Sequence, residues 1–454
     1  MTTVADPIQR SSRSDAISLA ALIALGLTAV LVTGIALRIH DPYWNSFVLL
    51  LVLSGFIALA ATRVAEHAPP TIALVVIVVV AVTMRLIVLS EDPILSTDIY
   101  RYVWDGRVQA TGINPYRYVP ADPALAQLRD AIIYPNIERA DYATTIYPPV
   151  AQLFFFAVTR IAETLTAMRL ALIGCEAVTL IVLIDLLRRL GKPVTLAVAY
   201  AWHPLAVWEV ASSGHVDALM VTLVMVGVWL LVRHRRIAAG VFVALGALAK
   251  PYAIAALPAC WRPWGWRLPL AVLLVIVACY LPYLGVGKGV FGFLLNGYLN
   301  EEGLQGGDGF WLVHVARAAL GDIPGLVPLY LALAAATLGV LALRAAFARD
   351  DTPERRVRDI AMLLMVGLFF LSPNYPWYYL VVAAFIPLGG GAPAWAMSIG
   401  AVLLYVLFPD YDARFLIWKG VLTIAFLIAV TASWCAPWRA PSFACIPGLT
   451  QWKL

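Results

Sequence analysis

The chain has 454 residues, of which 62% are hydrophobic and only 13% are charged, and its formal net charge is +5. A soluble domain needs more polar side chains than this to cover its surface, so the composition excludes one and predicts a protein that crosses a membrane several times. The basic residues cluster in short segments between apolar runs, which favours a topological role for them over nucleic-acid binding.

The five cysteines give no sign of a disulfide framework or a zinc site. They have no CxxC spacing, and they stand at Cys175, Cys260, Cys279, Cys435 and Cys445. The sequence also has no Walker loop and no stretch large enough for a soluble nucleotide-binding domain. We therefore expect neither ATP-driven transport nor direct use of a nucleotide sugar, and we expect no cofactor and no metal.

Apolar runs along the chain predict an all-α bundle of about 12–14 transmembrane helices in a single domain, 1–454. Residues 1–16 are polar, and no small-residue cleavage site follows the first apolar run, so we expect a retained first helix and no signal peptide. The predicted helices are 17–37, 46–62, 71–90, 168–187, 193–209, 218–233, 237–250, 251–261, 268–285, 325–346, 359–372, 377–389, 394–408 and 414–432.

The segment 149–163 decides the predicted orientation. Its apolar run is short and is followed by Arg160 and Glu163. If the segment lies in the interface, the basic residues of the short connections fall together on one side, as the positive-inside rule prefers. This makes 91–167 one outward loop with interfacial helices, and 286–324 a second outward loop.

The same rule divides 237–261 at Lys250-Pro251 into two half-length helices, because proline removes a helical donor and clashes with the preceding turn. Both termini are then cytoplasmic. The outward face, where a site is expected, collects 91–167, 210–217, Lys250, 286–324, 373–376 and 409–413.

A charged tract directly follows the third predicted helix. Four of its side chains stand at i, i+3, i+4 and i+7, which places them on one face of a helix: Asp98, Arg101, Tyr102 and Asp105. Arg101 and Asp105 are expected to neutralise each other as an i,i+4 surface pair. Asp98 is either a cap of the helix or a general base, and residues 96–97 could cap in its place.

A second group of polar residues, Ser212-Ser213-Gly214-His215-Val216-Asp217, occupies a short outward connection. His215 is a candidate proton shuttle or phosphate donor whose ring Asp217 would orient; the alternative is an interfacial histidine beside a capping aspartate. Lys250 is placed to balance a phosphate, with snorkelling to the surface as the competing explanation.

Aromatic residues cluster at the start of an outward helix, in Asn374-Tyr375-Pro376-Trp377-Tyr378-Tyr379. Tyr375, Trp377 and Tyr378 are candidates for stacking on a sugar ring, although an interfacial aromatic belt would have the same composition. Asp410 and Asp412 form a DxD pattern that is weak support for a metal.

Three polar residues fall within predicted spanning helices. Arg85 has the same two interpretations as Lys250, namely phosphate binding or snorkelling. Glu176 and His203 are predicted to form a structural pair between neighbouring helices.

Taken in order, several short motifs resemble those of the GT-C glycosyltransferases, and most closely the bacterial polyprenyl-phosphate-mannose-dependent α-mannosyltransferases. The matching motifs are Asp98-Ile99-Tyr100-Arg101-Tyr102, Asn114-Pro115-Tyr116, Tyr147-Pro148-Pro149, Gly214-His215-Val216-Asp217, Lys250-Pro251 and Asn374-Tyr375-Pro376-Trp377. The resemblance implies a GT-C-type bundle in a bacterial plasma membrane, a lipid-linked sugar donor, inversion at the anomeric carbon and Asp98 as the general base. Here three helices precede the first outward loop, whereas the family usually has one.

We therefore predict an inverting glycosyltransferase that moves a sugar, most simply mannose, from a polyprenyl phosphate to a hydroxyl of a lipid or glycan acceptor outside the membrane. A phosphate leaving group needs cations and no general acid. Those available are Arg101, Arg107, Lys250 and His215. We expect His215 and Lys250 to contact the donor phosphate, Asp217 to orient His215, and Asp105 and Arg107 to have supporting roles. The alternatives are transfer of another lipid-linked sugar, such as arabinose, or a transporter or flippase for such a lipid. The sequence has no clear internal repeat, and its polar residues gather on one face, which favours the enzyme.

Overall fold

The computed structural model describes residues 7–39, 45–287, 289–406 and 411–435. Within these ranges all regular elements are helices and there is no strand, so the predicted all-α class is confirmed. The α-helices are α1 (Pro7–Arg38), α2 (Asn45–Ala65), α3 (Pro70–Leu89), α4 (Asp98–Ala110), α5 (Pro149–Thr159), α6 (Leu165–Arg189), α7 (Val198–Ala201), α8 (Asp217–Val232), α9 (Arg236–Ala247), α10 (Arg267–Tyr280), α11 (Gly289–Gly292), α12 (Leu299–Glu301), α13 (Trp311–Leu320), α14 (Leu326–Ala346), α15 (Pro353–Leu371), α16 (Leu380–Phe385), α17 (Gly391–Ala401) and α18 (Tyr411–Cys435).

Helical turns of other geometry connect or extend these helices. The 3-10 helices are Pro123–Leu128, Tyr134–Asn136, Val194–Ala197, Pro251–Cys260, Leu281–Val286, Pro376–Tyr379 and Val402–Tyr405. The π-helices are Ala206–Ser212, Phe293–Tyr298 and Ile386–Gly390.

Eight helical stretches in the described part of the chain are long and apolar enough to cross a membrane. They are Ser14–Arg38, Asn45–Ala65, Pro70–Leu89, Leu165–Arg189, Arg267–Val286, Leu326–Ala346, Pro376–Tyr405 and Leu416–Ser433. Shorter apolar helices, among them α5, α8, α9 and α13, accompany them. The protein is therefore a multi-pass membrane protein.

The helix α8 lies at the centre of the bundle. It packs against α6, α9, α15 and α16, and most of its side chains are buried. By contrast, α10 and α14 leave large apolar side chains exposed, such as Leu273 and Leu329, as expected for helices that face lipid. The first residue of the central helix α8, Asp217, is itself buried.

The segment predicted to lie in the interface is a short helix. At 11 residues, α5 is about 16 Å long, well short of the roughly 30 Å of the hydrocarbon core. It packs against α4 and α6, and the Val150 N–H donates to the Leu248 carbonyl at 3.0 Å. These contacts tie α4, the helix that begins with Asp98, to the end of α9.

The predicted break at Lys250-Pro251 is confirmed. The helix α9 ends at Ala247, and a 3-10 helix begins at Pro251. Lys250 itself is extended, with φ −142° and ψ 119°. The chain therefore turns at Lys250 and presents its side chain at a helix boundary.

Two predicted helices, 193–209 and 377–389, are interrupted in the structure. Pro204 falls inside the first, which divides into a 3-10 turn, the short α7 and a π-helix over Ala206–Ser212. Pro387 falls inside the second, where α16 ends and another π-helix follows. Each proline lacks the N–H that a continuous α-helix needs, so the backbone rearranges around it.

The predicted pairing of Glu176 with His203 is wrong. Glu176 binds the guanidinium of Arg85, whose Nε donates to Glu176 Oε2 at 2.9 Å, and Arg85 also donates to the Ala201 carbonyl at 2.8 Å. His203 instead lies 3.0 Å from the Ser398 hydroxyl. Arg85 therefore neither snorkels nor faces a polar cavity; it neutralises a buried carboxylate, as a charge in an apolar bundle must.

Candidate active site

A cavity of about 320 Å³ opens beside the first turn of α4. Its walls come from distant parts of the chain: the start of α4, the loop before α5, the turn after α9, the loop 286–324 and the C-terminal third. The charged and aromatic side chains that line it include Asp98, Glu138, Arg139, Lys250, Tyr375 and Trp377. With Tyr147, which also lines the cavity, the fold thus brings together four of the motifs found in the sequence.

Asp98 is the first residue of α4, and its side chain remains 23% exposed at the cavity wall. The structure describes the whole first turn of α4, and no backbone N–H of that turn donates to the Asp98 carboxylate. Thr97 does not cap the helix either, because its hydroxyl donates to Glu138 Oε1 at 2.6 Å. Asp98 is consequently not a helix cap.

The surroundings of Asp98 raise the pKa of its carboxyl group above the ordinary value. Burial is the largest cause, because desolvation penalises the charged form, and the Glu138 carboxylate adds to the rise. Lys250 and the Tyr147 hydroxyl oppose it. A carboxylate whose pKa is raised in this way is a stronger base, as proton abstraction from a hydroxyl requires.

His215 reaches the site because Gly214 adopts a left-handed conformation with φ 69°. A Cβ at position 214 would lie 2.6 Å from Ile99 Cδ1, so the connection packs directly against the first turn of α4. The His215 ring is fully buried and stacks on Trp377, with centroids 4.0 Å apart. This packing holds the ring beside Asp98, with Nδ1 3.8 Å from Asp98 Oδ2.

The prediction that Asp217 orients His215 is wrong. Asp217 Oδ1 accepts a hydrogen bond from the Tyr252 hydroxyl at 2.8 Å, and Oδ2 lies 3.1 Å from Lys250 Nζ. The carboxylates near the His215 ring are Asp98 and Glu209. Because α8 is helical from Asp217 onwards, that side chain turns towards the Lys250 boundary and away from the histidine two residues earlier.

Lys250 is held at the cavity wall by one carboxylate and two aromatic rings. Besides its ion pair with Asp217, its Nζ lies 5.2 Å from the ring centroid of Tyr378 and 5.8 Å from that of Tyr147. Cation–π contacts of this kind stabilise a partly desolvated ammonium group. Lys250 is 8% exposed, so it does not snorkel into solvent.

The predicted sugar-stacking residues have different roles in the structure. The Trp377 indole is stacked with both His215 and Tyr375, the latter with centroids 4.5 Å apart. Tyr378 contacts Lys250 and forms a 2.8 Å hydrogen bond with the Tyr298 hydroxyl. Tyr375 is the outer ring of the stack and lines the cavity, so it is the best placed of the three to meet a sugar.

The expected pair Arg101–Asp105 is present, but it is buried and not at the surface. Arg101 Nε donates to Asp105 Oδ1 at 2.7 Å, and Gln152 on α5 donates to Asp105 Oδ2 at 2.9 Å. Arg101 also donates to the Ala143 carbonyl at 3.2 Å, on the loop that forms one wall of the cavity. These contacts fasten α4 to α5 and to the loop.

Arg107 does not belong to the cavity. It lies nine residues after Asp98, about 13 Å along the helix axis. Its guanidinium lies 2.7 Å from Asp130 and 2.9 Å from Glu163, so it already has two carboxylates. The prediction that Arg107 contacts a donor phosphate is therefore not supported by its position.

A second cavity, of about 560 Å³, adjoins the first. Arg139, Glu302 and Tyr375 line both cavities and form the boundary between them. The second outward loop supplies Trp311 and His314 to its wall. The two cavities together form a continuous polar region with aromatic walls, which is typical of carbohydrate sites.

Several residues of the site were missed in the sequence. Glu138 and Arg139 belong to a loop without a motif, and the partner of Arg139, Glu301, is 162 residues away in sequence. Glu209 is a fully buried carboxylate whose partner Tyr405 is 196 residues away. An ionisable residue in an apolar run is itself a signal, and it could have identified Glu209.

No cluster of three or more possible metal ligands occurs among the residues that the structure describes. Asp410 lies outside those residues, and so does the side chain of Asp412, so the DxD pattern remains untested. The described acidic residues of the site are instead paired with cations, aromatic hydroxyls or histidine.

The fold and the cavities define a multi-pass membrane protein with a polar site built from carboxylates, cations and aromatic rings. The family model of the alpha-(1->6)-mannopyranosyltransferase (MptA/B) family, N-terminal domain, matches residues 16–265. Because this is more than half of the chain, the chain belongs to that family, and the resemblance found in the sequence is confirmed. No curated protein and no solved structure matches it.

Family membership makes the protein an enzyme, a mannosyltransferase that needs a mannose donor and an acceptor. This removes transport and arabinose transfer as alternatives. The matched region, 16–265, contains Asp98, His215 and Lys250, whereas Tyr375 and the second outward loop lie beyond it.

Proposed function

We propose that the protein transfers mannose from a polyprenyl-phosphate donor to a hydroxyl of a lipid or glycan acceptor, with inversion and with Asp98 as the general base. The observation that carries this proposal is the position of Asp98 in the cavity wall, opposite a buried lysine and beside a buried histidine. Inverting transfer needs one such carboxylate, within hydrogen-bond reach of the attacking hydroxyl.

The donor phosphate would lie near Lys250 and Arg139, the two cations that line the first cavity. As the bond from the anomeric carbon to the phosphate oxygen breaks, the phosphate keeps the electron pair and becomes more negative. Two cations in a partly dry cavity stabilise that charge without any general acid. Asp217 and Tyr252 hold Lys250 in place for this role.

The acceptor would occupy the second cavity and reach Asp98 past Tyr375. Sugars bind to aromatic faces through their C–H surfaces and to carboxylates and amides through their hydroxyls. The boundary offers both, since the Tyr375 ring lies beside Glu302, to which the Asn374 amide donates at 2.8 Å.

We place this reaction on the outer face of the membrane, with 91–167 as the catalytic loop, 286–324 as the second outward loop and both termini inside. Both loops contribute to the two cavities, which puts all the proposed chemistry on one side. The prenyl chain would run beside α5, where Leu153 on the helix and Ile161 just after its end are exposed. A lipid-linked donor explains how a site without a nucleotide-binding domain obtains an activated sugar.

The proposal is tested by supplying the purified protein with polyprenyl-phosphate [13C]mannose or GDP-[13C]mannose and a membrane lipid extract. Mass spectrometry of the products should show a labelled hexose added to a lipid or glycan only with the polyprenyl donor. Transfer from GDP-mannose at an equal rate would contradict the proposed donor.

A further inference from the structure

The His215 ring lies between two carboxylates. Its Nδ1 is 3.8 Å from Asp98 Oδ2, and its Nε2 is 3.5 Å from Glu209 Oε2. Both distances are too long for a hydrogen bond, and both ring nitrogens are buried without a hydrogen-bond partner. Catalytic hydrogen bonds are often long before substrate binds, and each gap is less than about 1 Å longer than a hydrogen bond.

Glu209 lies at the Nε2 edge of the ring, and Asp98 lies at the Nδ1 edge. Glu209 is fully buried in the π-helix Ala206–Ser212. This helix geometry is rare in proteins, but where it occurs it is often at a functional site. The Tyr405 hydroxyl lies 2.8 Å from each carboxylate oxygen of Glu209. The His215 backbone N–H donates to the Glu209 carbonyl at 2.8 Å, so the same turn fixes both side chains.

We infer that Glu209 is a positioning residue for the reaction. By accepting the Nε2 proton of His215, it leaves the Nδ1 lone pair facing Asp98, where Nδ1 takes the proton that Asp98 removes from the acceptor. This inference rests on the proposed function, because it takes Asp98 as the base.

The proton balance of this step is complete. The acceptor oxygen forms its bond to the anomeric carbon as the bond to the phosphate oxygen breaks, and the hydroxyl proton moves to Asp98. It then moves to Nδ1 of His215, which becomes an imidazolium between two carboxylates. Asp98 is ionised again, and as product leaves the proton returns from Nδ1 to Asp98, whose side chain reaches the cavity, and from there to water.

Burial, and after it the Lys250 charge, lower the pKa of the His215 ring, so the resting ring is neutral and one of its nitrogens has a free lone pair. Lys250 is paired with Asp217, which partly balances its charge. The Trp377 ring covers one face of the imidazole, and Tyr405 blocks reorientation of Glu209. A structural carboxylate would instead be expected to have a cation as partner, as Glu176 has in Arg85.

The test is a double-mutant cycle of Glu209→Gln with His215→Asn, in which kcat and the donor KM are measured over a range of donor concentrations. Glu209→Gln keeps an acceptor oxygen but removes the charge. We expect it to lower kcat about 10-fold or more and to leave the donor KM within about twofold, since general acid–base groups contribute about 10²–10⁴-fold in rate. In the His215→Asn background the same change should alter kcat less than about twofold.

Ser213→Ala is the matched control, because the Ser213 hydroxyl is buried nearby without a partner, and its kcat should equal that of the wild type. An unchanged kcat in Glu209→Gln, or an equal loss in both backgrounds, would overturn the inference. If Glu209→Gln does not fold, Glu209→Asp replaces it: a lower kcat with unchanged donor KM supports the relay, and a wild-type kcat overturns it. Asp98→Asn, measured alongside, separates the two proposals. If Asp98→Asn is active, Asp98 is not the base and the proposed function fails together with the inference. If Asp98→Asn is inactive and Glu209→Gln has an unchanged kcat, only the inference about Glu209 fails.

Discussion

The charges around Asp98 decide how strongly it can act as a base. Burial raises the pKa of its carboxyl group, Glu138 raises it further, and Lys250 lowers it. The ionised form is the active base, so kcat/KM should rise with pH as Asp98 loses its proton. Because the pKa is raised, this rise should occur at a higher pH than for an ordinary aspartate.

Changes to these two neighbours should move that acidic limb in opposite directions. Glu138→Gln removes a carboxylate that raises the pKa of Asp98, so the limb shifts to lower pH. Lys250→Met removes a cation that lowers the pKa, so the limb shifts to higher pH, in addition to weaker donor binding. The measurement is kcat/KM for the donor across pH; shifts in the same direction would contradict the assignment of the limb to Asp98.

Gly214 is needed both for its left-handed backbone and for its lack of a Cβ. Gly214→Ala should lose most activity, because the new methyl group would meet Ile99 at 2.6 Å and move His215 away from Asp98. Gly112→Ala is the control, since Gly112 also has positive φ, 79°, but open space around it. It should cost about 1–2 kcal/mol of stability and retain activity. Equal losses of activity in the two variants would refute the steric argument.

The sequence identified Asp98, His215 and Lys250 because each is an ionisable residue at the end of an apolar run. It assigned the wrong partner to Asp217 because sequence spacing shows only near neighbours, whereas Tyr252 and Lys250 are more than 30 residues away. Glu138 and Arg139 carry no local pattern, and only the fold brings them to the cavity. Charge within an apolar run is thus visible in sequence, but its partner is not.

At the scale of elements, α4 depends on a buried polar cluster for its position. Arg101, Asp105 and Gln152 connect α4 to α5 and to the loop beside the cavity. Asp105→Asn should destabilise the protein by about 3–5 kcal/mol, because it leaves the buried Arg101 without a counter-charge. Thermal unfolding should show this loss of stability. Expressed as a free energy, any loss of donor affinity in the protein that stays folded should be smaller.

Arg107→Gln on the same helix is the control for this prediction. Its ion pairs are with Asp130 and Glu163, whose side chains are 36% and 37% exposed, and such pairs contribute about 0–1 kcal/mol. Its kcat should match that of the wild type, since it lies outside the cavity. A larger loss of stability in Arg107→Gln than in Asp105→Asn would contradict this account of α4.

The long apolar helices were predictable because their length and hydrophobicity exceed what a soluble helix shows. The break at Lys250-Pro251 was also predicted, from the proline and the charge pattern together. The π-helix that contains Glu209 was not, because Pro204 shows that a helix must change there without showing which geometry replaces it. The conformation of a broken helix is decided by tertiary packing.

At the scale of the whole molecule, the orientation is a prediction from the distribution of basic residues. In a cysteine-free background, Asp141→Cys should react with a membrane-impermeant thiol reagent from outside intact cells. His234→Cys should react only after the membrane is permeabilised. Both native residues, Asp141 and His234, are exposed in the structure. The reverse pattern would contradict the proposed outward position of the catalytic loop.

The central claim is that Asp98 removes the acceptor proton, and the most direct measurement compares two identical substitutions at neighbouring aspartates. Asp98→Asn and Asp92→Asn both replace a carboxylate by an amide, but Asp92 is exposed and lies outside the cavity. With polyprenyl-phosphate mannose and acceptor, Asp92→Asn should transfer mannose at the wild-type rate, whereas Asp98→Asn should bind donor and lose at least about 100-fold in kcat. An Asp98→Asn protein with a wild-type kcat would contradict the account.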